Sequence, residues 1–487
     1  MTQTENGQRA DGAAAQAGTA AQPGAAAQPG AAVDAARAAA QWWDAQDFRG
    51  RRGWLRDLAR VLARGADELA GVIARETGKP DDDALLEVML AVEHLDWASR
   101  NARRVLRRRS VPSGVVGIDQ AASVGYRPYG VVGVIGPWNY PLYTPMGSIA
   151  YALAAGNAVV FKPSELTPGV GEWLARAWQS LAAPQPVLQV VTGDGAVGAA
   201  LCRAGVDKVA FTGSTATAKR VMATCAESLT PLIAECGGKD AMLVAADADL
   251  AAAAGYAVFG GLGNAGQTCA GVERIYVAEE VFDAFTAAVT DRLRALRAGV
   301  DYGPMTMPAQ TDIVRAQIAD ALRGGGRALV GGEDSVRGRT IEPVVLTGVA
   351  PDSTAVTDET FGPVLVIEPV ADLDEGVRRA DASRYGLGAS VFTADTDAGK
   401  AAAERLDCGV VTVNSVLGFA GVPALPFGGT GDSGFGRIHG DDGLREFATV
   451  KSMTVTRFAT PLKLMTMRRR RRDMRIARLM LRVRHGR

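Results

Sequence analysis

The chain has 487 residues, 47% hydrophobic and 22% charged, a globular composition long enough for two or three domains. Five cysteines (Cys202, Cys225, Cys236, Cys269, Cys408) show no C-x-x-C spacing and three histidines (His94, His439, His485) lie far apart. Neither a disulfide framework nor a zinc site is indicated, and a reducing compartment fits. The formal net charge is zero but uneven, because residues 461–487 hold eleven of the 53 Lys+Arg and one of the 53 Asp+Glu, leaving that tail at +10 and the rest at −10.

Residues 1–32 are Ala, Gly, Gln and Pro with A-A-Q-P-G-A-A repeated, which predicts a disordered leader. Neither a charged-then-apolar targeting pattern nor an apolar run of about eighteen residues occurs, so a cytoplasmic protein is expected. From Val33 to Arg109 the pattern is helical, with Trp42 and Trp43 as packing anchors and His94 as a surface or helix-face histidine. Residues 118–132 and 450–460 are rich in β-branched and aromatic residues and read as strands.

Between Val131 and Phe211 short apolar runs (V-V-G-V-I, A-V-V-F, L-Q-V-V, K-V-A-F) alternate with helical stretches, the mark of a parallel α/β sheet. The alternation resumes from Gly238 to Phe435 with A-M-L-V-A, R-I-Y-V, A-L-V-G-G, V-V-L, V-L-V-I, A-S-V-F and V-V-T-V. Two α/β units follow, a Rossmann-like one over 33–237 and a second over 238–435. The G-x-G-x-x-G fingerprint is absent; T-G-D-G-A-V-G, which contains Gly195 and Gly198, spaces its glycines otherwise. In the tail, Ile476, Leu479, Met480 and Val483 stand at i, i+3, i+4 and i+7 among arginines, one apolar stripe on a basic amphipathic helix over 461–487. Such a helix suits an anionic membrane surface, a solvated tail or a dock on the acidic body; nucleic acid is disfavoured for want of an aromatic platform.

Chemistry concentrates between Glu235 and Arg274. Cys269 sits among small and polar neighbours with glycines at 261, 263, 266 and 271, and Glu235 precedes a cysteine and a glycine pair in E-C-G-G-K. A buried apolar thiol is the plain reading of a lone cysteine; its company suggests a nucleophile and a base brought together by folding. In chain order, P-W-N-Y-P (137–141), F-K-P-S-E (161–165), F-T-G-S (211–214), E-x-G-G-K (235–239), G-Q-x-C (266–269), E-T-F-G-P (359–363) and P-F-G-G (426–429) resemble the motifs of the NAD(P)-dependent aldehyde dehydrogenase superfamily, over roughly residues 33–460.

The resemblance implies an α/β fold with a Rossmann-like cofactor domain, an α/β catalytic domain and a small oligomerisation sheet, assembled as a homodimer or homotetramer. It implies Cys269 as nucleophile, Glu235 as the base that activates water and Asn139 as oxyanion donor. NAD, with NADP as the alternative, would be held by Pro137 and Trp138, by Lys162, Ser164 and Glu165, by Gly195 and Gly198, by Phe211, Thr212, Gly213 and Ser214, and by Gly237, Glu359 and Phe361. A carboxylate at Glu165 would repel the extra phosphate of NADP and favour NAD. The arginine of related succinic semialdehyde enzymes is matched here by Gly147, whereas Tyr140, Tyr143 and Phe427 suit an apolar or aromatic aldehyde. The alternatives are a CoA-acylating relative and a catalytically inactive, membrane-associated binding protein.

Overall fold

A computed structural model describes residues 28–486. The first helix, Pro29–Ala45, starts inside the stretch expected to be a leader. Proline opens a helix at no cost in hydrogen bonds, since the first amides are unpaired anyway, and Ala32 and Val33 are already buried. Only 1–27 of the expected leader lie outside the described residues.

Three more helices follow, Phe48–Arg64, Ala66–Thr77 and Asp81–Leu106, and Arg109 already belongs to a strand. Trp43 is fully buried and donates its indole N–H to the Leu153 carbonyl at 2.8 Å, so it anchors this layer to the sheet domain. Of the two places expected for His94, the helix face holds and the surface does not: it lies in Asp81–Leu106 and is buried.

The first large sheet has six strands in the order Gly434–Phe435, Leu232–Glu235, Lys208–Thr212, Val131–Ile135, Ala158–Lys162 and Leu188–Val190. All pairings are parallel except the first. Val131–Ile135 and Ala158–Lys162 are buried along their whole length, as strands covered by helices on both faces must be. Two features differ from the sequence reading. Leu232–Glu235 is a strand that its short run did not announce, and Gly434–Phe435, inside the span assigned to the second unit, crosses back to pair with it.

The second sheet runs Arg327–Val330, Val344–Thr347, Val364–Val370, Val272–Ala278, Asp240–Val244, Gly388–Phe392 and Val410–Val413, parallel after its antiparallel first pair. Alternate residues of Asp240–Val244 feed opposite cores: Met242 and Val244 join Phe285 and Val289, whereas Ala241 and Leu243 join Val377 and Val391. A third, antiparallel sheet combines Arg109–Val111, Gln120–Pro128 and Ala448–Thr456. Its two longer strands lie where strands were expected, although Val131 and Val132 belong to the six-stranded sheet.

The tail folds into the helix Arg471–His485, and its apolar stripe faces no neighbour: Ile476, Leu479, Met480 and Val483 are all exposed. No described helix is long and apolar enough to cross a membrane.

Candidate active site

Parallel sheets of this kind gather ligands beyond the carboxyl ends of their strands, where the chain turns into the next helix. Here that edge forms a groove of about 590 Å³ running from Glu165 to Phe361 and ending at Cys269. Every residue expected to hold the cofactor lines it: the turn after Val131–Ile135 brings Pro137 and Trp138, and the end of Ala158–Lys162 brings Lys162, Ser164 and Glu165. Gly195 and Gly198 come from the helix Gly195–Arg203, and Phe211, Thr212, Gly213 and Ser214 from the end of Lys208–Thr212. Gly237, Glu359 and Phe361 close the far side.

Local physics explains the shape. Ser214 caps the helix Thr215–Ala226, accepting from the Thr217 amide, and presents its amino-terminal end to the groove, where a phosphate is favoured. Lys162 is buried and donates to Glu165 Oε2 at 3.2 Å. Burial tends to raise the Glu165 pKa, but its own amide together with Lys162 and Ser164 outweighs this and holds it below the ordinary range. Trp138 and Phe361 meet edge to face at 5.5 Å. A Cβ on Gly237 would overlap the Glu359 carboxylate, so only glycine leaves room there. Glu359 is half-buried, with its Oε1 shielded and unpartnered, and desolvation, followed by the nearby Glu273 charge, pushes its pKa to about 8. A long groove with apolar walls and a few polar groups, a helix terminus and an orphaned carboxyl oxygen at the inner end fit a dinucleotide with flat rings to cover and hydroxyls to satisfy.

On its other side Cys269 opens into a second cavity of about 360 Å³ with a largely aromatic and aliphatic lining, including Tyr143, Phe259, Phe419, Phe427 and Ile438. Glu235 faces this cavity. Burial raises its pKa well above the carboxylate range, and neither of its oxygens has a hydrogen-bond partner. Burial, then the charges of Asp240, Glu359 and Glu235, pushes the Cys269 thiol to about 12. A carboxylate with so raised a pKa is a competent proton acceptor near neutrality, which a thiol nucleophile or an attacking water needs.

Asn139 is buried beside them, with Nδ2 donating to the Gln267 carbonyl at 3.0 Å. A side-chain amide has two N–H groups, so one remains for an oxyanion. Among the described residues no group of three or more His, Cys, Asp or Glu could hold a metal ion.

The motifs did not reveal what holds these groups. Lys79 and Glu87 form a fully buried ion pair at 2.7 Å beneath the Asn139 turn. Lys79 also donates to the Asn139 carbonyl at 2.8 Å and lies 4.2 Å from the Tyr140 ring centroid, and Glu87 Oε1 accepts from the Leu142 and Tyr143 amides. A second buried pair, Lys239 and Glu273 at 2.6 Å, supports the cofactor side. Glu273 accepts from the Thr360 and Phe361 amides, each at 2.8 Å, and so fixes Phe361 in a left-handed backbone conformation at φ +51°. Lysines and glutamates at such separations carry no local signal, although a charged residue inside an apolar run, as Glu273 is, was the available hint.

Comparison with known proteins adds the following. The family model described as aldehyde dehydrogenase family matches residues 5–453. The chain is 39% identical over 432 residues to a protein named 4,4'-diapolycopene aldehyde oxidase from Methylomonas sp, covering 88% of this chain and 81% of that relative. It is 35% identical to a Mycobacterium ulcerans (strain Agy99) protein provisionally named a succinate-semialdehyde dehydrogenase using NADP(+), covering 87% and 83%. Among solved structures, an indole-3-acetaldehyde dehydrogenase of P. syringae, a cysteine-to-alanine mutant in complex with NAD+, superposes with a TM-score of 0.83 at 31% identity, covering 88% of this chain and 89% of that one.

Proposed function

The chain belongs to the aldehyde dehydrogenase family and is an NAD(P)-dependent aldehyde dehydrogenase acting through a cysteine; on that premise we propose that it oxidises a neutral, apolar or aromatic aldehyde to its acid, with NAD preferred. The observation that carries the substrate class is the lining of the second cavity. Its one cationic side chain among the described residues, Lys79, is already paired with Glu87, and Asp83 and Glu87 stand beside it. A small anionic aldehyde would meet no free positive charge, whereas an apolar chain would meet Phe259, Phe419 and Phe427. The relatives' names point two ways, to succinate semialdehyde and to diapolycopene aldehyde, and a lining that offers no unpaired cation supports the second kind.

In this reading Cys269 gives its proton to Glu235, which passes it to solvent, and adds to the carbonyl carbon, while Asn139 Nδ2 with the Cys269 amide receives the negative oxygen. Bound NAD supplies the hydride acceptor. Glu235 then takes a proton from the water that hydrolyses the resulting thioester, releasing the acid and the free thiol. A water-activating acid at this position disfavours transfer to CoA. The test is NADH formation with a panel of straight-chain, aromatic and carboxylate-bearing aldehydes, with and without CoA. Faster turnover of succinic semialdehyde than of hexanal or benzaldehyde would overturn the substrate class, and strict dependence on CoA would overturn hydrolysis.

Two assembly readings belong here. The strand Ala448–Thr456 exposes Val450, Met453 and Val455, which supports self-association through the three-stranded sheet. The exposed stripe and the +10 charge of the tail support reversible attachment to an anionic bilayer, at about 1 kcal/mol per arginine near the surface. Sedimentation with anionic vesicles at low salt should pellet the full chain and leave a version ending at Thr460 in solution; equal behaviour of the two would remove the tail from the account.

A further inference from the structure

His439 lines the aldehyde cavity under conditions that a merely structural residue does not need. Its backbone sits at φ 62°, ψ 166°, a region that essentially only glycine occupies without strain. Its imidazole is buried, and Nε2 has no hydrogen-bond partner. The ring lies 3.9 Å from the ring of His94, centroid to centroid, and 6.0 Å from that of Phe427. Nε2 occupies the space directly over Gly147: a Cβ built on that glycine would collide with it. A glycine here would relieve the backbone, yet a bulky side chain fills the space over Gly147.

His94 shows why the ring stays put. Its Nε2 meets the Ala420 carbonyl at 3.2 Å and its ring packs edge to face on Tyr143 at 5.3 Å, while Tyr151 donates to the Pro423 carbonyl and accepts from the Gly440 amide next to His439. Helix Asp81–Leu106, helix Tyr143–Ala155 and the segment 419–440 are thus joined around one pair of rings. Burial keeps both imidazoles neutral, with His94 lowered to about 4.

We propose that His439, backed by His94 and seated over Gly147, sets the width of the aldehyde cavity and so decides how bulky a carbon chain the enzyme accepts. The inference rests on the apolar-aldehyde reading and names the residue that shapes that site. Removing the ring would join the space over Gly147 to the cavity, and the gain should go to ring-bearing aldehydes, because a straight chain already fits without it.

The experiment compares hexanal with cyclohexanecarbaldehyde in the parent, His439→Gly and His439→Leu. The ratio of kcat/KM, ring-bearing over straight, should rise about tenfold or more in His439→Gly and stay within about threefold of the parent in His439→Leu, which restores bulk without the nitrogens. His439→Gly relieves the backbone but leaves a cavity, so the ratio of two substrates within each variant, which a general loss of stability does not move, is the quantity compared. A parallel measurement needs no turnover: the affinities of hexan-1-ol and cyclohexylmethanol for the same three proteins. A ratio that shifts in binding while the parent oxidises neither aldehyde would uphold the role of His439 and overturn the apolar-aldehyde reading. Ratios within about twofold of the parent in both assays would overturn the role of His439 itself.

Discussion

The two cavities that meet at Cys269 are built by opposite means. The cofactor groove takes about half of its lining from turns at the carboxyl ends of parallel strands, in short contiguous motifs, and most of the rest from the helices that follow those strands. The aldehyde cavity draws Leu86 from one helix, Tyr143 from another, Phe259 from the second domain and Phe419 and His439 from the far end of the chain. A groove read off strand ends binds the part of the reaction every such enzyme shares. A cavity assembled from distant side chains is where one enzyme can differ from another.

The largest effects should come from the point where the cavities join. Cys269→Ala should abolish NADH formation. Glu235→Gln should retain a burst of NADH and lose about 10² to 10⁴-fold in steady turnover, because acylation precedes the water step that needs the base. The pH dependence has a definite sign. Burial raises the Glu235 pKa well above the carboxylate range, and only its ionised form accepts a proton, so steady turnover should fall as pH drops through that raised value. Rapid-mix and steady-state assays over the same pH range check both statements. Full steady activity in Cys269→Ala would sink the assignment.

This asymmetry also explains what the sequence made legible. Alternating apolar runs announced nearly every strand of both large sheets, because parallel strands buried on both faces must be almost wholly apolar. The strand Leu232–Glu235 escaped because it is short and ends in the acid that the chemistry needs. Gly434–Phe435 escaped because two residues carry no period. The groove residues came from motifs, whereas His94 and His439 share no local pattern and meet only because two helices and the segment 419–440 converge on them. The pattern around His94 places it on a helix but does not say that the fold buries it.

The buried ion pairs sharpen the comparison at intermediate size, since one serves each cavity. Glu87→Gln leaves Lys79 charged, buried and unpaired beneath the Asn139 turn, and Glu273→Gln does the same to Lys239 under Thr360 and Phe361. Each should cost about 3–5 kcal/mol of stability, measured by denaturant unfolding. Kinetics then separates them. Glu273→Gln should raise the KM for NAD, because the Thr360 and Phe361 amides lose their acceptor, and Glu87→Gln should lower kcat with aldehyde while the KM for NAD stays close to the parent value. If both variants moved the same constants, the two pairs would be general scaffolding, with no separate hold on the two cavities.

The smallest expected effect lies at the outer end of the groove. Glu165 is ionised near neutrality, held below the ordinary carboxylate range by its own amide, Lys162 and Ser164 against the opposing pull of burial. A negative side chain there should disfavour the extra phosphate of NADP, and Glu165→Gln should narrow the preference for NAD. The change must be modest, because the side chain is 54% exposed and can turn into water, which screens the repulsion. We expect less than about 1 kcal/mol, or roughly fivefold in the ratio of kcat/KM for the two cofactors, and less again at high salt. Lys162 points the same way, since it is buried and already engaged with Glu165; freeing it in Glu165→Gln removes a repulsion and releases a cation toward the incoming phosphate. Equal efficiency with both cofactors in the parent enzyme would show that charge at this position does not decide the choice. A preference that survives Glu165→Gln undiminished would move the source of selectivity to the groove's shape.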